Sequence, residues 1–384
     1  MAAMIARFSR WLFIATIWFG LAASATRAAD TLVYFGTTSE KQTSEGIYVS
    51  RFNSETGALS PAILAAKITS PMFINFHPTK PVLYAIGETK AADGKTLGHV
   101  ASYTVDRATG KLTLLNQQPG GGDALCYVLI DATGRVALTA AYREGYVAAH
   151  PLRNDGSLGE YTSLVRHSGS SVHLRQKSPH AHSIDLDPAN RFALVDDLGI
   201  DRVLTYRLDP ATSKLTQQPE PFHTKPGAGP RHLAFDSTGH HVYIVNEIDN
   251  TITLADYDSA TGRLTEKQTL PLLPPEFKGE STAAEVVIHP SGKFLYASNR
   301  GHDSLALFAI TPETGRLTFI EYMQEGVKHP RHFAIDPTGH WLLCANRDAD
   351  TVTVYRIEPT SGHLTSTKSE TKVPMPTCVK FLSQ

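Results

Sequence analysis

An all-β fold of seven repeated four-stranded units, closed into a ring, is the class this sequence predicts, and three observations carry the expectation. A turn signature recurs seven times, a short apolar strand recurs seven times, and the two chain ends each supply half of one unit. A period near fifty residues with strand-like content is the mark of a β-propeller with four antiparallel strands per blade.

The turn has the form T-G-x-L. It occurs as ETGAL (Glu55 to Leu59), ATGKL (Ala108 to Leu112), NDGSL (Asn154 to Leu158), ATSKL (Ala211 to Leu215), ATGRL (Ala260 to Leu264), ETGRL (Glu313 to Leu317) and TSGHL (Thr360 to Leu364), at spacings of 46 to 57 residues. Glycine at the turn supplies a backbone conformation that other residues adopt only at a cost.

The strand marker gives a separate count. In chain order, apolar segments end at Phe76, Ile130, Leu186, Phe235, Ile288 and Ile335, each followed by a Pro- or Gly-containing turn and a second apolar strand. A seventh, TCVKFL, ends near Phe381 and has no strand after it. At the other end TLVYFG (Thr31 to Gly36) resembles the second strands FLYASN, VYIVNE and WLLCAN. Pairing the two ends completes the seventh blade and leaves no open sheet edge.

Composition fits this and narrows the partners. Gly 28 and Pro 23 suit many turns, and a hydrophobic fraction of 41% suits a large core. The net charge of −1 comes with no basic tract, which argues against nucleic acid and acidic membranes, whose binding leans on clustered Lys and Arg. Residues 1–28 form an expected signal peptide: Arg7 and Arg10 precede the apolar run from Trp11 to Ala25, with small residues offering cleavage after 25 to 29. The run is short of the ~20 residues that span a bilayer, although an uncleaved anchor is the alternative. Residues 31–384 are then one propeller domain, exported to the periplasm or secreted, and expected to be monomeric. Cys126, Cys344 and Cys378 fall in apolar strands, so no disulfide framework is expected, a Cys344–Cys378 bridge being the one conceivable pair.

Candidate chemistry collects where inner strands begin and second strands end, because in antiparallel pairs these share one edge. Inner strands begin at Met72, Cys126, His182, Arg231, Ala284, Arg331 and Thr377, and second strands end at Glu88, Tyr142, Leu198, Glu247, Arg300 and Arg347. His180 and His182 are two apart before an inner strand, where strand alternation points both to one face. Arg202 stands where other blades carry Thr251, Ser304 and Thr351; a hydroxyl there suits a turn, an arginine suits a ligand. Asn246, Asn299, Asn346 and the Asp of the DPTG turns are expected to serve the fold. Arg231-His232 and Arg331-His332 repeat between blades, and inter-blade support is as good an account of them as ligand binding.

The motifs PHAHSIDLDPANRF, DLGIDRVLTYRLD, GAGPRHLAFDSTGHHVYIVNE, EVVIHPSGKFLYASNRGHDSL and HPRHFAIDPTGHWLLCANR together resemble the seven-bladed β-propeller lactonases, a family of propeller-type 6-phosphogluconolactonases and carboxy-cis,cis-muconate cyclases. The resemblance covers essentially the whole chain after its N-terminal signal. It implies a catalytic site of His180, Arg202, Glu247 and Arg300, and neither organic cofactor nor catalytic metal; His182, Arg231, Arg331 and Arg347, at the same rim, are the substrate-binding candidates. Lactone opening needs an activated water, a held oxyanion and a proton for the leaving alkoxide. Glu247 or His180 could act as base, and the arginines could hold the oxyanion or a substrate carboxylate or phosphate.

The expected activity is hydrolysis of a sugar-type or carboxylated lactone, a small-molecule substrate. Lactone-forming muconate cyclisation uses the same groups in reverse, and a non-enzymatic scaffold is the alternative from another class. Metal binding by His180 and His182 lacks a third ligand tied to them by spacing.

Overall fold

The structure, a computed structural model, describes residues 30–382. They form seven antiparallel sheets in a ring, and each inner strand ends where the sequence places it, at Phe76, Ile130, Leu186, Phe235, Ile288, Ile335 and Phe381. Blade 1 joins the chain ends: Thr31–Thr37 pairs antiparallel with Pro376–Phe381, Val33 opposite Phe381 and Gly36 opposite Cys378. Blade 4 carries an extra two-residue strand, Phe222–His223, against its third strand Arg202–Asp209.

Burial follows position in the blade. The second strands Val136–Ala141, Phe192–Asp197, Phe294–Arg300 and Trp341–Asn346 are buried along their whole length. Adjacent blades cover both faces of these strands, so their sequences open on consecutive apolar residues rather than alternating, and polar residues come only toward the rim end. Outer strands such as Arg263–Pro271 face solvent and are polar. The core is therefore spread between blades, not gathered in one centre.

The seven turns do more than reverse the chain. All seven marker residues have positive φ, including Ser213 at 53°. Their carbonyls are also latches: Tyr34 Oη donates to Gly110 O at 2.9 Å, and Tyr84, Tyr243 and Tyr296 donate likewise to Gly156, Gly315 and Gly362, each from one blade to the next. At Gly57 the neighbour is Trp341, whose ring would lie 2.4 Å from an added Cβ. The Asp of the following turns accepts backbone N–H groups, as Asp336 Oδ1 does from His340 and Trp341. Asn346 Nδ2 ties Gly326 O to Thr353 Oγ1.

Three details differ from the sequence reading. His180 and His182 are not on a regular strand; the inner strand of blade 4 is only Asp185–Leu186, and Ala181 makes an isolated bridge to Asp197. Arg347 opens a 3-10 turn, Arg347–Ala349, instead of ending a strand. Cys344 and Cys378 are buried free thiols, so the conceivable bridge is absent. The expected signal peptide lies outside the described residues. No helix among those described is long and apolar enough to cross a membrane.

A repeated irregularity places the channel residues. Inner strands slip register between Leu125 and Tyr127, Pro230 and His232, Ala283 and Val286, and Pro330 and His332, so the extra residues include Cys126, Arg231, Glu285 and Arg331. A bulge re-aims side chains that strict alternation would send to opposite faces. Arg231 and His232 are neighbours in sequence, yet both turn into the central channel.

Candidate active site

Glu247 is the centre of the cluster. It follows the second strand of blade 5, is buried, and is held by three guanidiniums: Arg175 Nη2 at 2.5 Å from Oε1, Arg231 Nε and Arg300 Nη2 each at 2.9 Å from Oε2. Burial alone would raise its pKa, but Arg300, Arg231 and Arg175 outweigh this and hold it well below the ordinary carboxylate range. Arg300 further donates to the Ala283 carbonyl at 2.9 Å and Arg231 to the Ala284 carbonyl at 2.6 Å.

Arg331 enters the same mouth from blade 7 and has no ion-pair partner among the described residues. Desolvation, and then the like charges of Arg231 and Arg300, push its pKa down to about 9. It is still a cation at neutral pH. Four arginines thus face one carboxylate, and the positive excess is available to an anion.

Histidines sit beside this charge. His180 Nδ1 lies 2.8 Å from the Tyr142 carbonyl, which can only accept, so Nδ1 carries a proton and, in the neutral ring, Nε2 is the nitrogen with the lone pair. The ring stacks on Tyr142, centroids 4.6 Å apart, and its backbone N–H is fixed by Asp197 Oδ1 at 2.7 Å. Tyr142 Oη in turn accepts from Arg175 Nη2 at 3.1 Å, which links His180 to the Glu247 group. His182 is buried, edge-on to Tyr142 and His232. Desolvation, with Arg231, His232 and the other arginines, keeps it neutral.

The remaining expected residues stand apart. Arg202 begins a third strand, one strand further from the axis than the inner and second strands that carry the cluster. Its backbone pairs Asp197 and His223, its Nε is buried without a partner, and no side-chain bond joins it to the cluster. Arg347 is held by Asp348 at 2.9 Å and lies 3.7 Å from Glu40. Arg175 was not legible in the sequence, because it comes from the loop after Ser163–Arg166, which is longer than the corresponding connections of the other blades and follows no repeat. That loop is pinned by Asp201, which accepts from Gln176 Nε2 and Gly229 N, each at 2.7 Å, and from Ser171 Oγ.

A cavity of about 650 Å³ opens beside the cluster, lined by Arg175, Arg300, His173, His329 and the Gly279–Thr282 segment. This is room for a sugar-sized ligand. No group of three or more His, Cys, Asp or Glu among the described residues is placed to hold a metal.

The model of the lactonase, 7-bladed beta-propeller family matches residues 32–381. A 6-phosphogluconolactonase of Bacillus subtilis is 36% identical over 351 residues, covering 91% of this chain and 98% of the relative. The solved periplasmic gluconolactonase of Pseudomonas aeruginosa superposes with a TM-score of 0.86 at 32% identity, over 92% of this chain and 99% of that one. A Lactobacillus plantarum protein superposes with a TM-score of 0.85 at 32% identity, over 92% and 100%. The chain belongs to the seven-bladed β-propeller lactonase family.

Proposed function

We propose that this lactonase-family member hydrolyses an unphosphorylated sugar lactone of the gluconolactone type outside the cytoplasm, at the mouth formed by blades 3 to 7. The observation that carries the reading is the pairing of a histidine whose Nε2 is bare with an excess of guanidinium charge. The expected export signal removes the protein from cytosolic sugar phosphates, and the Pseudomonas aeruginosa neighbour is itself a periplasmic gluconolactonase.

His180 Nε2 takes a proton from water as the hydroxide attacks the lactone carbonyl. The negative charge that develops on the carbonyl oxygen is held by Arg300, Arg231 and Arg331, which stay protonated throughout. Collapse breaks the ring C–O bond, and the leaving alkoxide recovers the proton from His180. The product is a hydroxy acid whose carboxylate remains beside the arginines. Glu247 is a poor base here, since three cations stabilise its ionised form; it orients them instead. Arg231 replaces Arg202 in this assignment because it reaches Glu247 and Arg202 does not.

Arg331 favours a second reading of the substrate. An unpaired cation in the mouth also suits a lactone bearing its own carboxylate or phosphate. Acid release at constant pH, measured on sugar lactones with and without a 6-phosphate and on muconolactones, separates the two. The proposal expects glucono-δ-lactone turnover well above the buffer rate and above an Arg300→Ala variant. Equal rates for wild type and variant across the panel contradict it.

A further inference from the structure

Below the mouth lies a buried carboxylate that the proposed chemistry does not touch. Glu285 sits in the bulge of the blade 6 inner strand, and every group around its oxygens is a donor. Oε1 accepts the Val286 N–H at 3.1 Å. Oε2 lies 3.1 Å from His232 Nδ1 and 3.3 Å from His332 Nε2. Phe73 and Tyr127 pack edge-on against these rings.

Proton positions follow from the partners. Arg231 Nη1 is 3.2 Å from His232 Nε2, and a guanidinium can only donate, so the His232 proton is on Nδ1 and points at Glu285. The Val379 N–H donates to His332 Nδ1 at 3.4 Å, so the His332 proton is on Nε2 and also points at Glu285. One direction of donation therefore runs from Arg231 through His232 to Glu285, while the Nε of the same arginine donates to Glu247.

We propose that Glu285 is a positioning residue of the lactonase site: it fixes the His232 tautomer, and His232 fixes the guanidinium of Arg231 against Glu247. A carboxylate is required because an amide has one acceptor and one donor end. Whichever way glutamine is turned, its NH2 meets either the Val286 N–H or the two imidazole N–H groups. Relief comes from a flip of the His232 proton to Nε2, which then opposes the Arg231 N–H and pushes that side chain off Glu247. The same arrangement serves a network whose loss is felt well beyond one pair.

This inference rests on the lactonase reading for its kinetic arm only. With histidine ring nitrogens labelled with nitrogen-15, NMR of the wild-type protein reports both tautomers without any substrate. The expected result is His232 protonated on Nδ1 and His332 on Nε2, both neutral from pH 6 to 8. Glu285→Gln is expected to shift the His232 nitrogen signals and to lower kcat/KM at least fivefold, with Glu285→Asp recovering part of the loss. A wild-type His232 protonated on Nε2, or a folded Glu285→Gln variant within fivefold of wild type, overturns the proposal. If that variant does not fold, the wild-type tautomers decide. Absence of lactone turnover by the wild type defeats the function and leaves the tautomer arm standing.

Discussion

In the proposed mechanism a carboxylate surrounded by three guanidiniums and a histidine with one committed ring nitrogen divide the work between them. His180 is half-buried and stacks on Tyr142 outside the core, so His180→Gln is expected to lower kcat by roughly 10²- to 10⁴-fold, the usual worth of a general base. Its melting temperature should stay within a few degrees of wild type, which a thermal melt checks. Glu247→Gln is expected to behave in the opposite way. It leaves buried Arg231 and Arg300 without their counter-charge, and a chemical denaturation curve should show a loss of about 3–5 kcal/mol. The slot was legible in the sequence, since Glu247 and Arg300 stand in a position repeated through the blades, but it was the family resemblance and not the repeat that singled them out. Which arginine bonds Glu247 was not legible: Arg231 repeats as Arg331, and repetition suggested support, yet it reaches Glu247. Arg202's departure from Thr and Ser was visible, while its place on a third strand was not.

Turns and bulges are the elements that turn this sequence into a site. The seven T-G-x-L turns were countable because glycine and leucine spacing is written in the chain. Their tyrosine latches were not, since each joins residues more than sixty positions apart, as Tyr34 to Gly110 and Tyr296 to Gly362 do. Gly57→Ala and Gly292→Ala both demand positive φ of an L-residue, but only at Gly57 would the new methyl strike the Trp341 ring, at 2.4 Å against 3.7 Å to Ser237 at Gly292. Gly57→Ala should therefore cost about 1–3 kcal/mol more than Gly292→Ala in denaturant melts. The inner-strand bulges were hidden for a different reason: alternation predicts one face for Arg231 and the other for His232, and the extra residue cancels that rule. The Arg175 loop belongs here as well. Asp201→Ala removes the acceptor shared by Gln176, Ser171, Gly227 and Gly229. Tryptic cleavage at Arg175 or Lys177 should accelerate while the blades stay resistant.

At the scale of the whole molecule the closed ring commits many ionisable groups to its interior, and stability should depend on pH accordingly. Burial holds His182, His150, His232 and His332 neutral, the last three pushed down to about 4, 4 and 3. Below pH 6.5 the unfolded chain takes up protons that the folded protein refuses, so stability falls with pH. Asp185, pushed up to about 7 by burial, and Asp196, raised in the same way, act in the opposite sense and stabilise as pH falls through that window. The histidines outnumber the raised carboxyls, His329 also being pushed down to about 4, so the net effect between pH 6 and 5 is a loss of stability. Below pH 4.5 Glu247 and Glu285, whose folded pKa values are depressed, add to the loss. Calorimetric melts from pH 8 to 4 should show Tm level or slightly rising down to about pH 6.5, where only Asp185 and Asp196 take up protons, and falling with increasing slope below 6; a Tm that goes on rising below pH 6 contradicts this assignment of buried charge. The ring itself was the most legible feature, because two markers and two complementary chain ends count the same seven blades.

The claim that the arginine-rich mouth opens lactones is tested most directly by a crystal structure with the hydrolysis product gluconate bound. The account predicts its carboxylate within hydrogen-bonding distance of Arg300 and Arg331, with His180 Nε2 facing the same carbon. Gluconate at the far end of the channel, beside Lys380 and Phe381, or none at the arginines at saturating concentration, would contradict it.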